Sequence, residues 1–414
     1  MGHLFYQIFI FAYTLGVRFV AIWNNKAKDW VKGRKLPLNL PFSTQSANIV
    51  WMHCASLGEF EQGRPLLEAL KIKNADVKIV LTFFSPSGYN ACKNYKGADA
   101  IFYLPMDSKK NASQFLDLIQ PNLVLWVKYE YWYHYLTQIK QRQIPLFLVS
   151  GIFRQNQPFF KWYGSFWRNM LTNFSFLFVQ NESSKQLLSK IGISKNVIVA
   201  GDTRFDRVAA IANNFEPLPF IEKFCADNQV FVAGSTWEED EEEIVHYVKA
   251  HPHIKFIIAP HEVDVENIKE VQSRFVNSIL YSQFTTHQST LTNCLIIDNI
   301  GMLSRLYFYA DVCYIGGGFG NDGVHNVLEA AVYGKPILFG PVYDKFKEAI
   351  DLVEVGGAVV IENALTLEKE LDEILSNDII NDEMSNANLQ YVRQNKGATE
   401  KVINYIYENR LLTN

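Results

Sequence analysis

Chemistry-bearing residues in this sequence sit at turns that directly follow apolar runs. The densest case is a glycine cluster, Gly316-Gly317-Gly318-Phe319-Gly320. It leads through Asn321-Asp322-Gly323-Val324-His325 into Asn326-Val327-Leu328-Glu329. Glycines let a ligand approach the backbone, and free N–H groups at a helix start near Asn326 attract an anion. Glu329, one turn inside that helix, reaches the hydroxyls of a ribose. The pattern suits a nucleotide. It is not a Gly-Lys-Ser/Thr phosphate loop, nor a Gly-x-Gly-x-x-Gly opening the first βαβ unit. The competing reading is a glycine turn that only packs helix on sheet.

Four further clusters share the same placement. In Ser56-Leu57-Gly58-Glu59, Gly58 permits a tight turn and Glu59 opens a helix. The helix dipole stabilises a carboxylate there, and such a base can take a proton from a sugar hydroxyl. Ser56 with Glu59 is also a formal capping box, and spacing alone favours the cap. Ser85-Pro86-Ser87-Gly88 offers small hydroxyl residues and backbone N–H groups to an anion. Lys128-Tyr129-Glu130-Tyr131-Trp132 offers charge and aromatic surface to a sugar or acyl group, or else a surface Lys–Glu ion pair. Pro260-His261-Glu262 sets a histidine where it can donate to a phosphate. The acidic run Glu238–Glu243, after Gly234-Ser235-Thr236-Trp237, reads as a helix start with a solvated face; a metal site is the sharper alternative. His251 and His253 flank a proline and read as a loop.

Runs of four to eight Val, Ile, Leu and Phe residues precede these clusters. Asn48–Cys54, Lys78–Phe83, Ala100–Leu104, Asn122–Val127, Pro145–Ser150 and Ser175–Val179 read as strands covered on both faces. Val230–Ala233, Lys255–Ala259, Cys294–Ile297, Val312–Ile315, Pro336–Phe339 and Ala358–Ile361 repeat the rhythm. Helical patterns lie between them, so the class is α/β with two doubly wound parallel sheets. The seam falls around Gly201–Asn214. The expected organisation is an anchor helix and basic flank (1–35), a first domain (36–206), a second domain (207–396) and a terminal helix (397–414) that could return to the first domain. Two such domains would face a cleft outside the carboxyl ends of their strands.

The segment Leu4–Trp23 is apolar apart from Arg18, long enough to span a bilayer. Lys26, Lys28, Lys32, Arg34 and Lys35 follow it against a single Asp29. That places the following chain on the cytoplasmic side and favours an anionic membrane surface. Spanning the bilayer and lying in its interface stand even; a buried soluble helix is the alternative. The whole chain has 414 residues, 48% hydrophobic, and a net charge of −4. This excludes a disordered or collagen-like chain, and no global field attracts nucleic acid. Five scattered cysteines without a C-x-x-C pair fit a reducing compartment rather than a disulfide or zinc scaffold. Aromatic residues concentrate in the first half, where Tyr129–Tyr135 and Phe153–Trp167 suit contact with lipid.

The ordered set of clusters resembles the family of 3-deoxy-D-manno-octulosonic acid (Kdo) transferases. It runs through Ser56–Glu59, Ser85–Gly88, Tyr103-Leu104-Pro105-Met106-Asp107, Glu130 with Trp132, and Gln180-Asn181-Glu182. It continues with Gly201-Asp202, Phe205-Asp206, Gly234-Ser235-Thr236, Ala310-Asp311, Gly316-Gly317, His325-Asn326 with Leu328-Glu329-Ala330-Ala331, Gly340-Pro341 and Phe346-Lys347. The resemblance implies the two-Rossmann-domain GT-B fold. It implies inverting transfer of Kdo from CMP-Kdo to a glucosamine hydroxyl of a lipid A precursor, with no bound metal or other cofactor. The location would be the inner membrane with the catalytic domains on the cytoplasmic side.

In those terms Glu59 is the base, and Ser56, Gly58, Ser85, Lys128 and Glu130 meet the substrates. Pro260, His261, Ile300, Gly301, Met302, Asn326, Val327, Leu328 and Glu329 meet the nucleotide. The sequence departs from the family pattern at Lys128 (usually glutamate), Pro260 (arginine), Trp237 (histidine) and Val324 (glycine). Lys347 or Arg204 is then expected to supply the missing cation. Another nucleotide-sugar transferase or an epimerase on the same plan, or a membrane-tethered binding protein, are the alternatives.

Overall fold

Strands whose residues are apolar at every position need cover on both faces, and parallel α/β sheets provide it. In the computed structural model, which describes residues 2–45, 47–128, 130–287 and 292–412, each of two units is built on one such sheet. The first unit comprises residues 1–207 and 396–414, and the second residues 208–395. The division falls inside the helix Thr203–Asn213.

In the first unit, β1 (Ile49–Cys54), β2 (Lys78–Phe83), β3 (Ala100–Tyr103), β4 (Leu123–Val127), β5 (Leu146–Gly151), β6 (Phe176–Val179) and β7 (Val197–Val199) are all parallel. Their order is β3-β2-β1-β4-β5-β6-β7. One face is covered by a cluster that includes Trp51, Trp126, Phe115 and Tyr135. The other holds Phe60, Leu66 and Phe83, closed by Ala398, Val402, Ile403 and Ile406 of the C-terminal helix Ala398–Glu408.

In the second unit, β8 (Val230–Thr236), β9 (Lys255–Pro260), β10 (Ser278–Leu280), β11 (Cys294–Ile296), β12 (Val312–Ile315), β13 (Ile337–Phe339) and β14 (Ala358–Val360) form the order β10-β11-β9-β8-β12-β13-β14. This sheet is also wholly parallel. β7 and β10 escape the sequence pattern because they are three-residue edge strands, partly exposed.

Chain order reverses between β1 and β4 in the first sheet and between β8 and β12 in the second. Such reversals open a crevice beyond the strand carboxyl ends, because flanking connections leave to opposite faces. Four turns leave these points: Ser56–Glu59 after β1, Lys128–Glu130 after β4, Trp237 after β8 and the glycine cluster after β12.

The helix α1 (Gly2–Val20) and the shorter α2 (Asn25–Gly33) pack together on the first unit. The aromatic excess is mostly core rather than lipid-facing. Tyr135, Phe153 and Phe159 are buried, and of the stretch 153–167 it is Trp162 and Tyr163 that are strongly exposed.

Candidate functional site

In the first unit the expected residues converge on the exits of three neighbouring strands. α3 (Leu57–Lys73) starts directly after β1 and carries Glu59 in its first turn. Ser56 Oγ donates to Glu59 Oε2. The expected capping box is absent: Ser56 is the N-cap residue, but its side chain accepts no backbone N–H. The hydroxyl is spent on the carboxylate instead, so Glu59 is oriented by Ser56 rather than tied to the helix backbone. Gly58 stands beside them in the same turn.

α4 (Pro86–Cys92) starts after β2. Its N-cap Ser85 accepts from the Gly88 N–H at 3.3 Å and meets Ser87 Oγ at 3.0 Å. The Gly88 amide expected to hold an anion is therefore engaged within the turn. Gly88 is required sterically, since a Cβ there would lie 2.4 Å from the Phe83 ring.

After β4, Lys128 takes a positive φ of 56°, and Tyr129 lies outside the described residues. Glu130 turns back toward the sheet. Its Oε2 accepts from His53 Nε2 at 2.9 Å and from Trp132 Nε1 at 3.0 Å. Trp126 Nε1 donates to the Glu130 backbone carbonyl at 2.6 Å. His53, fully buried on β1, meets Thr82 Oγ1 of β2 at 2.9 Å through Nδ1, and Trp51 Nε1 donates to the same hydroxyl. A polar chain thus runs beneath the turns from β2 through β1 to β4 and fixes Glu130. Sequence reading missed His53 because a histidine inside an apolar run looks like core. The signal was its two-residue phase with Trp51, which puts both on one face of β1.

Arg34 lies in the basic flank by sequence, but it is not available to a membrane. Its guanidinium lies 3.8 Å over the Trp30 ring and 4.5 Å over Phe84, and Nη2 donates to the Phe84 carbonyl at 2.8 Å. Burial pulls its pKa down to about 10. Arg204 pairs with Asp202 at 2.8 Å in this unit.

In the second unit the organising residue is Asp240, which the sequence assigned to a solvated acidic face. It is fully buried. Oδ2 accepts from the Trp237 N–H at 2.9 Å and the Gly317 N–H at 2.8 Å, and Oδ1 accepts from Tyr314 Oη at 2.6 Å. One carboxylate therefore ties the exit of β8 to the glycine cluster after β12, and the Gly317 amide is not free for a ligand. Burial raises the Asp240 carboxyl above the usual carboxylate range despite these donors. Glu241 is buried too, held by Thr236 Oγ1 and by Arg274. Among the described residues, no three His, Cys, Asp or Glu side chains gather as a metal site.

The glycines answer to packing as much as to ligand approach. A Cβ on Gly316 would lie 2.2 Å from the Ser235 carbonyl oxygen, and one on Gly318 would lie 2.5 Å from the Gly340 nitrogen. Gly317 adopts φ +90°.

Above this base lies an aromatic platform. Trp237 Nε1 donates to His325 Nε2 at 3.0 Å, and the two rings are inclined by only 15°. The His261 ring lies 4.6 Å from the first and 4.5 Å from the second, nearly parallel to both. His261 thus covers an edge-to-edge Trp–His pair while remaining exposed. Burial, with the His261 charge beside it, depresses His325 to a pKa of about 4. Pro260 ends β9 just before this ring.

The helix expected near Asn326 is the short Leu328–Ala331, with Val327 as N-cap, so Glu329 lies in its first turn rather than one turn inside. Asn326 Nδ2 donates to Glu329 Oε1 at 2.9 Å, while its buried Oδ1 has no partner among the described residues. Ile300 is strongly exposed after β11, beside Gly301 with φ +97° and the buried Met302. Lys347 is engaged by Asp351 at 2.7 and 2.8 Å on its own helix.

Two parallel-sheet units, each with a polar cluster at its switch point, define a GT-B-type fold. Residues 29–207 match the model of the 3-deoxy-D-manno-octulosonic-acid transferase (kdotransferase) family. Over that stretch the chain matches this family, and along most of its length it is similar to these glycosyltransferases. It is 24% identical to a 3-deoxy-D-manno-octulosonic acid transferase of Haemophilus influenzae, covering 86% of each chain. It is 26% identical to a bifunctional glycosyltransferase/methyltransferase of Fusobacterium nucleatum over 88% of its length, but spans only 55% of that longer protein. Among solved structures it is similar to the UDP-GlcNAc 2-epimerase of Neisseria meningitidis (TM-score 0.63, 17% identity, 87% of this chain and 100% of that one). It is also similar to MurG of Acinetobacter baumannii (TM-score 0.54, 13% identity, 87% and 99%). These two likenesses concern the fold.

Proposed function

We propose that the chain transfers Kdo from CMP-Kdo to a glucosamine hydroxyl of a lipid A precursor, with inversion, in lipopolysaccharide assembly at the cytoplasmic face of the inner membrane. The observation that carries this reading is Glu59 at the β1/β4 switch point of a chain similar to Kdo transferases along most of its length. Ser56 holds the carboxylate toward the turn. Glu59 takes the hydroxyl proton as the acceptor oxygen forms its bond to the anomeric carbon. The bond from that carbon to the phosphate oxygen breaks, and cytidine monophosphate leaves with the electron pair.

Departing charge is met at the second unit's switch point. There His261 offers a ring N–H, and the first amides of the helix Leu328–Ala331 have no intrahelical partners. Glu329 serves the ribose. Lys128, Glu130 and Ser85 contact the substrates, and the reaction uses no bound metal. Lys347 or Arg204, paired with Asp351 and Asp202 respectively, supplies the cation that Pro260 cannot. The exposed lysines 26, 28, 32 and 35 favour an anionic membrane surface and a phosphorylated lipid.

The test is incubation with CMP-Kdo and a tetraacylated lipid A precursor, followed by mass spectrometry of the lipid. A mass gain of one or more Kdo residues is expected, and an unchanged lipid overturns the reading. Glu59→Gln should abolish transfer while cytidine monophosphate still binds. Near-normal transfer by that variant would reduce Glu59 to a structural residue.

A further inference from the structure

α1 has two unlike sides. Leu4, Ile8, Phe11, Leu15 and Phe19 are 47–66% exposed and recur at helical spacing, so they form one outward stripe. The opposite side is seated on the first unit from Gly2 to Tyr13. At Gly2 the backbone rests on Phe166, where a Cβ would lie 2.8 Å from the Phe166 Cβ. Tyr6 Oη donates to Asp107 Oδ2 at 2.6 Å, and both side chains are buried. Tyr13 packs against Trp30 at 5.9 Å and Phe84 at 6.1 Å. From Gly2 to Tyr13 the helix therefore lies on protein over about 16 Å of its axis.

We propose that α1 lies in the plane of the membrane as a one-leaflet anchor, with its outward stripe in the acyl region of an anionic bilayer. A crossing helix must be surrounded by lipid over about 30 Å. To cross, α1 would carry Asp107, Ser108, Lys109 and His134 into hydrocarbon, or peel off them. Peeling off would expose the Tyr6 contact and take one of three donors from the buried Asp107, which also accepts from the His134 and Tyr135 amides. Lying flat removes neither contact.

Two further features fit this placement. Lys26, Lys28, Lys32 and Lys35 are exposed just after the stripe, where phosphate headgroups would meet them. Trp162, 92% exposed, and Tyr163 lie on the chain leading to Phe166, which seats the start of α1. Amphipathic aromatic rings belong at the headgroup level. This inference rests on the membrane association proposed above and specifies its geometry.

The experiment uses the full chain with vesicles of phosphatidylcholine and phosphatidylglycerol. Nitroxide labels are placed singly through Leu4→Cys, Phe11→Cys and Phe19→Cys. The five native cysteines are buried, so background labelling is low. An in-plane helix gives three depths that agree within about 5 Å, all in the outer part of one leaflet. A depth ramp of about 22 Å between positions 4 and 19 overturns the proposal while leaving membrane association standing. Failure to float with anionic vesicles at all overturns both. The variant Lys26→Glu/Lys28→Glu/Lys32→Glu leaves α1 intact and should weaken vesicle binding about a hundredfold. Unchanged binding by that variant would refute the anionic partner.

Discussion

Removing the Asp240 carboxylate should uncouple the glycine cluster from β8. In Asp240→Ala, the Gly317 N–H and Tyr314 Oη lose this acceptor in a buried place, while the Trp237 N–H lies close enough to the surface to find water. Each unsatisfied buried donor costs about 1–3 kcal/mol, so two give a loss of about 2–6 kcal/mol. The same burial that raises the Asp240 carboxyl means the native charge is itself held at a cost. Asp240→Asn relieves that cost. Its amide oxygen can still accept from both backbone N–H groups, and Tyr314 Oη can rotate to accept from the amide nitrogen. A loss of about 1 kcal/mol or less is expected for this variant.

The assay is hydrogen exchange of a peptide spanning residues 312–320, alongside thermal unfolding. Asp240→Ala should lose about two decades of protection at Gly317, since about 1.4 kcal/mol is tenfold. Asp240→Asn should stay near wild type, and binding of cytidine monophosphate should weaken in step with exchange. If Asp240→Ala exchanges within threefold of wild type, or if both variants are equally damaged, the carboxylate does not act through these donors.

Other expectations follow from the same contacts. His325 is held below its ordinary pKa, so its neutral form stabilises the fold above about pH 6.5, and this contribution is lost as pH falls toward about 4. Thermal unfolding of wild type should therefore fall more steeply over that range than that of His325→Asn. Gly234→Ala places a Cβ 2.0 Å from the buried Tyr307 Oη, and denaturation should show a loss of about 1–3 kcal/mol. Arg34→Met removes a cation from three aromatic rings and its bond to the Phe84 carbonyl. A fall of about 2 kcal/mol is expected by denaturation, with vesicle binding unchanged.

Much of the fold was readable because burial on both faces leaves a direct trace. Ile49–Cys54, Lys78–Phe83 and Leu123–Val127 are central strands with almost every residue buried, and their sequences are nearly unbroken apolar runs. Val197–Val199 and Ser278–Leu280 lie at sheet edges, where half the surface stays wet and three residues suffice. No periodicity can accumulate over such a length, so even the β-branched Val197-Ile198-Val199 does not stand out as a strand. α1 shows the converse limit. Its composition allows a span, and only the seating of Gly2, Tyr6 and Tyr13 tells which side is covered.

The site was legible where chemistry sits at strand exits and illegible where it lies one layer below. Glu59, Glu130, His261 and the glycine cluster could be placed because a turn after an apolar run must face the carboxyl end of the sheet. What holds them could not. His53 sits inside an apolar strand and Asp240 inside an acidic run, so each was masked by neighbours that follow a different rule. Yet a buried polar group persists only when its hydrogen bonds are met. His53 meets this condition by reaching Thr82 on β2 and Glu130 in the turn after β4, and Asp240 by reaching the exits of β8 and β12. In both units the buried group joins the two strands that flank the chain reversal, β1 to β4 and β8 to β12. A crevice at a switch point has no continuous turn of chain to stiffen it. A polar tie beneath its floor supplies that stiffness, so variants at His53 and Asp240 should disturb ligand geometry without touching a ligand.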